Sequence, residues 1–387
     1  MENNEFNYDE IRPYNDNEVH DAFVRACQEP ELKSVLEFIY KDKAEEMRQY
    51  FLTIKTVEEF QSNVIAPFVL KVGEMTSDGL DITGLENKDD KDKCLYISNH
   101  RDIIMDAAFL DTLMLKQAHI STAQNAIGDN LCAKPWITDM MKLNKNFLVK
   151  RSGTKREIFD SSIRLSSYIH DQITSGSDSI WLAQREGRAK DSNDVTQESV
   201  LKMLSMSCGK DMKQGFMDLH ITPVSISYEF DGCDYLKAKE FQQKRDDAEY
   251  KKTKADDILS MKTGILGYKG RVHYEVTTCI NEELDKMVSA EDNRATVIAA
   301  VQKLIDQHIH KNYRIYPINY VALDELNGNT DNADKYTNAD KAKFDQYIAG
   351  QMAKIELENK DEAFLRTKML EMYANPLKNH LKAIANV

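Results

Sequence analysis

Between Cys94 and Ala322, short apolar or alternating runs take turns with longer stretches whose apolar residues recur at helical spacing. No other feature constrains the fold as much. The short runs are CLYISN, HISTAQ, NFLVKR, SIWLAQ, ITPVSISYEF and RVHYEVTTCI, and the helical periods include AAFLDTLMLKQ and REIFDSSIRLSSYIHDQI. Strands joined through helices cannot pair as tight hairpins, so the order predicts an α/β fold with a mostly parallel central sheet flanked by helices. Two flanks depart from this pattern. From Asp16 to Val72 the apolar residues fall only at helical spacing, which predicts a helical N-terminal region over residues 1–80. The polar stretch TSDGLDITGLENKDDKDK closes that region, and the α/β domain is placed at 81–325. A second polar segment, NGNTDNADKYTNADKAK, opens a C-terminal extension over 326–387. FDQYIAGQMAKI and EAFLRTKMLEMYANPLKNHL predict a helical pair there, with Pro376 breaking or kinking the second helix.

Charge and cysteine usage narrow the function classes. A net charge of −13 over 387 residues argues against a surface that tracks nucleic acid and leaves room only for a local anion pocket. The six cysteines contain no C-x-x-C pair, so neither a disulfide framework nor a zinc ribbon is expected, and the default compartment is reducing. MENNEFNYDE lacks a basic segment followed by an apolar one and is not expected to be a secretory signal. The apolar run Val64 to Leu70 has seven residues including Pro67, far from the ~20 needed to cross a bilayer. No H-E-x-x-H, G-x-x-x-x-G-K or G-x-G-x-x-G occurs, so no metal and no nucleotide cofactor is expected.

In open α/β sheets ligands bind beyond the carboxyl ends of the strands, so polar residues directly after an apolar run are the first candidates. CLYISNHRDIIMD delivers His100 and Arg101, with Asp102 and Asp106 close behind. A carboxylate beside such a histidine fixes the imidazole tautomer and stabilises the imidazolium, which suits general base catalysis. An N-capping aspartate next to an incidental exposed histidine has the same sequence. NFLVKRSGTKR carries Lys150 and Arg151 within a segment, 142–156, that has six basic residues and no acidic one. With a helix start at Ser152, Gly153 and Thr154, that segment reads as a phosphate pocket or as a solvated basic face. SIWLAQREGR delivers Glu186, Gly187 and Arg188: an acceptor for hydroxyls, a small residue and a bidentate anion donor. ITPVSISYEF opens with Pro223 and reads most simply as buried sheet.

Taken in order, a His-Asp pair, a basic strand end, Glu-Gly-Arg and a Pro-Val strand resemble the four blocks of the glycerolipid acyltransferase superfamily, which includes glycerol-3-phosphate and lysophosphatidic acid acyltransferases. The resemblance spans Cys94 to Phe230. The family's first block places four residues between histidine and aspartate, whereas His100 and Asp106 enclose five. Its third block is longer by one residue than Glu186, Gly187 and Arg188. These departures suggest a divergent branch, and the arrangement is also similar to acyltransferases of Bacteroides-type bacteria.

The resemblance implies an enzyme that moves a fatty acyl group from a thioester, of acyl carrier protein or of coenzyme A, to a hydroxyl of a glycerol-phosphate or lysophospholipid acceptor. By carry-over, His100 is the general base, with Asp106 as its partner and Asp102 as the alternate. Arg101, Lys150, Arg151, Glu186, Gly187 and Arg188 bind the acceptor and its phosphate, and Pro223 is the structural proline of the fourth block. Alternatives are an O-acyltransferase acting on an acylated amino acid or another hydroxylated lipid, a thioester hydrolase, and a catalytically silent lipid-binding module. The implied partners are the thioester donor, the lipid acceptor and a membrane surface, with no nucleic acid. Lipid substrates without a spanning segment imply a cytoplasmic protein peripheral to the inner face of the cell membrane. Val64 to Leu70 and Phe364 to Tyr373 are the candidate contacts, against ordinary core packing of the same residues.

Overall fold

The computed structural model of the chain describes residues 6–86, 93–132 and 134–385. The first residues of MENNEFNYDE and residues 87–92 of the polar linker lie outside this set. Seven strands form one sheet: β1 (Gly79–Thr83), β2 (Leu95–Ser98), β3 (Gln124–Gly128), β4 (Asn146–Val149), β5 (Ile180–Ala183), β6 (Thr222–Tyr228) and β7 (Arg271–Val276). Their order across the sheet is β1-β7-β6-β2-β5-β3-β4. Every pairing is parallel except β6 with β7. The fold is therefore α/β with a mostly parallel sheet. Strands β2 to β6 all run one way, and their carboxyl ends share one edge.

Period-two alternation assigns the two faces. Leu95, Ile97, Ile180 and Leu182 pack with Phe147 under the helices Lys155–Ser175, Glu198–Leu204 and Arg294–Lys311. Tyr96, Trp181, Val224 and Ile226 point the other way, against the helices Ala66–Thr76 and Met105–Leu113. Both faces are covered, as a parallel sheet requires, because each of its strands is apolar on both sides. The N-terminal helices close a separate core around Phe23, Phe51 and Phe60. The helix Pro135–Leu143 of the α/β region joins that core through Leu143, Trp136 and Met140.

The elements correct the sequence reading in several places. The polar stretch after Val72 contains β1, an edge strand whose side chains are mostly half-buried, so the helical region ends before residue 80. HISTAQ is not a strand: His119 adopts a left-handed turn, and β3 begins only at Gln124. The C-terminal unit holds three helices, because Pro317–Asn327 packs with Asn338–Ala353 and Glu362–Ala385 around Phe344, Leu365 and Leu377. The boundary at 325 thus cuts through a helix. Pro376 lies inside Glu362–Ala385, which continues past it. Val64 and Val69, like Leu365, Met369 and Tyr373, are core residues, so much of both segments proposed for membrane contact is spent on core packing, with Ile65, Phe68, Leu70 and Phe364 half-buried. Among the described residues no helix is long and apolar enough to cross a membrane.

Candidate active site

The turn after β2 is tied down from both neighbouring strands. Asn99 extends the sheet with its side chain: its amide donates to the Ile226 carbonyl at 2.9 Å, and its oxygen accepts from the Ile226 amide at 2.8 Å. Ser98 Oγ accepts the indole N–H of Trp181 at 3.0 Å and donates to the Asn99 carbonyl at 2.8 Å. These bonds satisfy buried polar groups that would otherwise each cost about 1–3 kcal/mol. They leave His100 fixed just beyond the sheet edge, with the Trp181 ring edge-on to it at 5.9 Å.

Two aspartates follow, and the geometry separates their duties. Asp106, fully buried, accepts through Oδ2 from His100 Nδ1 at 2.8 Å. The same oxygen accepts from the backbone amides of Arg101 at 2.6 Å and Asp102 at 3.0 Å. Asp102 instead accepts through Oδ1 from the amides of Ile104 and Met105, at 2.9 and 2.8 Å, and so braces the turn that leads into the helix carrying Asp106. The fifth residue between His100 and Asp106 is absorbed by this Asx-type turn. Burial, then the neighbouring Asp106, raises the Asp102 carboxyl above the usual carboxylate range. With Nδ1 held by Asp106, the Nε2 edge of His100 hydrogen-bonds to no described residue, and the imidazole is 12% exposed. An Nδ1–H tautomer anchored by a carboxylate, with Nε2 open, is the arrangement that can take a proton from a bound hydroxyl.

Other strand ends on the same edge supply charge. Arg151, after β4, pairs with Glu186, after β5, at 2.9 Å; the pair bridges the end of β3 and is open to solvent. The Arg151 amide donates to Asp129 Oδ1 at 3.0 Å. Lys150 is exposed and 3.8 Å from Glu157. That glutamate closes a capping box with Thr154, occupying N–H groups of the helix start that had been assigned to phosphate. Gly187 holds φ +66 in open space, a left-handed turn that a side chain would strain. Pro223 sits buried in β6, in register with Ile97 of β2, and its carbonyl accepts from the Thr277 amide at 3.0 Å.

Two expected acceptor ligands are placed elsewhere. Arg101 is 5% exposed, paired with buried Asp194 at 2.7 Å and lying over the Tyr313 ring. It forms a buried ion pair through Nη2, while Nη1 has no hydrogen-bond partner among the described residues. Arg188 is half-buried, and its charge faces the Cys233 thiol, Asp102 and Asp231, so it supports the turn from beneath. Arg185 was absent from the expected set. It follows β5 two residues beyond Ala183, the register partner of Ser98, and its Nε is buried without a hydrogen-bond partner. Being the first cation after an apolar strand was the signal for it. Trp181 and Asn99 carried no such signal, since their roles depend on strands distant in sequence.

Residues 79–227 match the family model described as Acyltransferase. The chain carries an acyltransferase domain. The match covers the stretch in which the four sequence blocks resemble the glycerolipid acyltransferase superfamily. The matched segment begins with β1 and ends inside β6, so it holds the whole edge on which His100, Arg151 and Glu186 stand. A solved structure, the 1-acyl-sn-glycerophosphate (LPA) acyltransferase PlsC from Thermotoga maritima, is similar at 12% identity. That comparison covers 74% of this chain and 91% of the other, with a TM-score of 0.35, an overlap too loose to extend the assignment beyond the acyltransferase domain. No curated protein matches the chain.

Proposed function

We infer that the acyltransferase domain transfers a fatty acyl group from an acyl thioester to the hydroxyl of a glycerol-phosphate or lysophospholipid. The observation that carries this reading is the 2.8 Å contact between His100 Nδ1 and Asp106 Oδ2 at the end of β2, with the Nε2 edge left open. His100 Nε2 takes the proton as the acceptor oxygen attacks the thioester carbonyl. The C–S bond then breaks, and the imidazolium returns the proton to the departing thiolate. Asp106 holds the imidazole and stabilises its positive charge through the cycle. No acyl-enzyme is needed. Arg151 and Arg185 meet the acceptor's anionic group, and Glu186 accepts from its hydroxyls once Arg151 turns to the ligand. Acyl carrier protein and coenzyme A present the donor in the same thioester chemistry, and both belong to the proposal. A lysophospholipid acceptor supports reading the protein as a peripheral enzyme of the inner face of the cell membrane.

Release of free thiol from an acyl thioester, with and without glycerol 3-phosphate or lysophosphatidate, tests the reading. Acceptor-dependent release is expected. Acceptor-independent release would mean a thioester hydrolase, and none with any hydroxylated acceptor would mean a silent lipid-binding module. Release that depends on an acylated amino acid in place of the phosphorylated acceptors would keep the chemistry and change the substrate.

A further inference from the structure

The helix Lys254–Leu266 is built inside out for a soluble protein. Its face against the protein carries Ser260 and Gly264, and a Cβ placed on Gly264 would stand 1.9 Å from Asp102 Oδ2. Only glycine lets the helix lie this close to the turn that carries His100. The outward face is apolar: Ile258 is 62% exposed, Leu259 45% and Leu266 52%. On a helix these positions, with Ala255 and Lys262, fall within one arc of about 100°. Met75, at the end of the neighbouring helix Ala66–Thr76, adds an apolar side chain 68% exposed. Beyond Leu259 and Leu266 the surface continues into an open groove of about 550 Å³ bordered by Tyr268, Tyr347 and Lys354. Basic side chains border the helix, with exposed Glu74 beside Met75 and Glu249 before Lys251 as acidic neighbours. Lys251, Lys254 and Lys262 are exposed and have no ion-pair partner among the described residues. The helix's two acidic residues are engaged, Asp256 in the capping box with Thr253 and Asp257 with Lys252 at 2.5 Å.

We propose that this helix docks on an anionic lipid bilayer, with Ile258, Leu259, Leu266 and Met75 entering the headgroup region and Lys251, Lys254 and Lys262 meeting lipid phosphates. An outward apolar stripe rimmed by unpaired lysines, in a chain of net charge −13, fits a negative surface of low polarity and no ordinary solvent face. Because the same helix rests on Asp102, docking brings the His100 turn to the plane where a lipid acceptor lies. The proposal rests on the lipid-acceptor reading above and names the surface that serves it.

The test is vesicle flotation of the purified full chain, read without turnover. The protein should float with vesicles of phosphatidylglycerol and phosphatidylcholine, and less with phosphatidylcholine alone. Ile258→Glu with Leu259→Glu should lower the partition coefficient about tenfold or more, since two apolar side chains leave the interface. Lys254→Gln with Lys262→Gln should lower binding to the anionic vesicles only. Phe38→Glu, on the remote helix Pro30–Tyr40 where Phe38 is 77% exposed, should change nothing. The proposal is overturned if the wild type does not float, if the two paired variants float like it, or if Phe38→Glu loses as much. It is also overturned if sedimentation in the absence of lipid finds a dimer that Ile258→Glu with Leu259→Glu dissociates, because the face would then belong to a second copy. A chain that floats yet never transfers acyl groups would retire the proposed reaction and keep the docking surface. Turnover on soluble acceptors without flotation would do the reverse.

Discussion

The end of β2 and the ends of β4 and β5 lie on one edge of one sheet, yet they are built differently. At β2 the His100–Asp106 pair is locked by two backbone amides, by Asn99 reaching into β6 and by the Trp181 indole, and Asp106 is fully buried. At β4 and β5 the backbones of Arg151 and Glu186 are held by Asp129 and Gln197, but the two side chains meet in a surface pair, 34% and 71% exposed. The first arrangement keeps a proton acceptor within a narrow range of positions before any ligand arrives, which general base catalysis needs. The second is a surface ion pair that holds together by about 0–1 kcal/mol and can open for a ligand. On the proposed reaction, one edge divides into a fixed chemical end and an adjustable recognition end.

The largest effect should come from the fixed end. His100→Ala is expected to lower kcat by about 10²–10⁴-fold in a folded protein, measured as acceptor-dependent thiol release. A mutant of near wild-type turnover would remove the distinction between the two ends. Next, Asp106→Asn should cost roughly 10²-fold or more in kcat, because an amide can donate to Nδ1 and favour the wrong tautomer. Asp102→Asn keeps an oxygen for the amides of Ile104 and Met105 and should stay within a few-fold of wild type. If the crippling change were Asp102→Asn, the pairing at β2 would be misassigned.

The adjustable end should respond in binding. Arg151→Ala is expected to raise the acceptor KM by about tenfold or more, the equivalent of a charge-assisted contact worth roughly 1.5–3 kcal/mol, with donor KM unchanged. A rise in donor KM alone would reassign the patch to the phosphates of the donor. The smallest effect is ionic: moving from about 0.05 to about 0.5 M salt should raise the acceptor KM a few-fold and leave kcat unaltered, since screening reaches the exposed pair and not the buried one. Steady-state kinetics at the two ionic strengths check this, and an equal salt effect on kcat would blur the comparison.

The same contrast explains which parts were legible in the sequence. β2, β4, β5, β6 and β7 are apolar on one or both faces, so periodicity alone finds them. β1 is half-buried at the sheet edge and reads as a polar linker. His100 and Arg151 stand out because polar residues after an apolar strand have no core to serve. Whether Asp102 or Asp106 meets the histidine depends on a turn in which Asp102 bonds to the two amides after Ile103, which spacing does not encode. Arg101 and Arg188 look like free cations in the sequence. Their partners, Asp194 for one and Asp102 and Asp231 for the other, become neighbours only through folding.

The central claim is that His100 and Asp106 act as one unit in acyl transfer, and a double-mutant cycle on kcat for acceptor-dependent thiol release measures this most directly. The claim predicts that His100→Ala combined with Asp106→Asn is no slower than His100→Ala alone, since without the imidazole the carboxylate has nothing to orient. Losses that multiply, with Asp106→Asn slowing the His100→Ala protein as much as it slows the wild type, would contradict it.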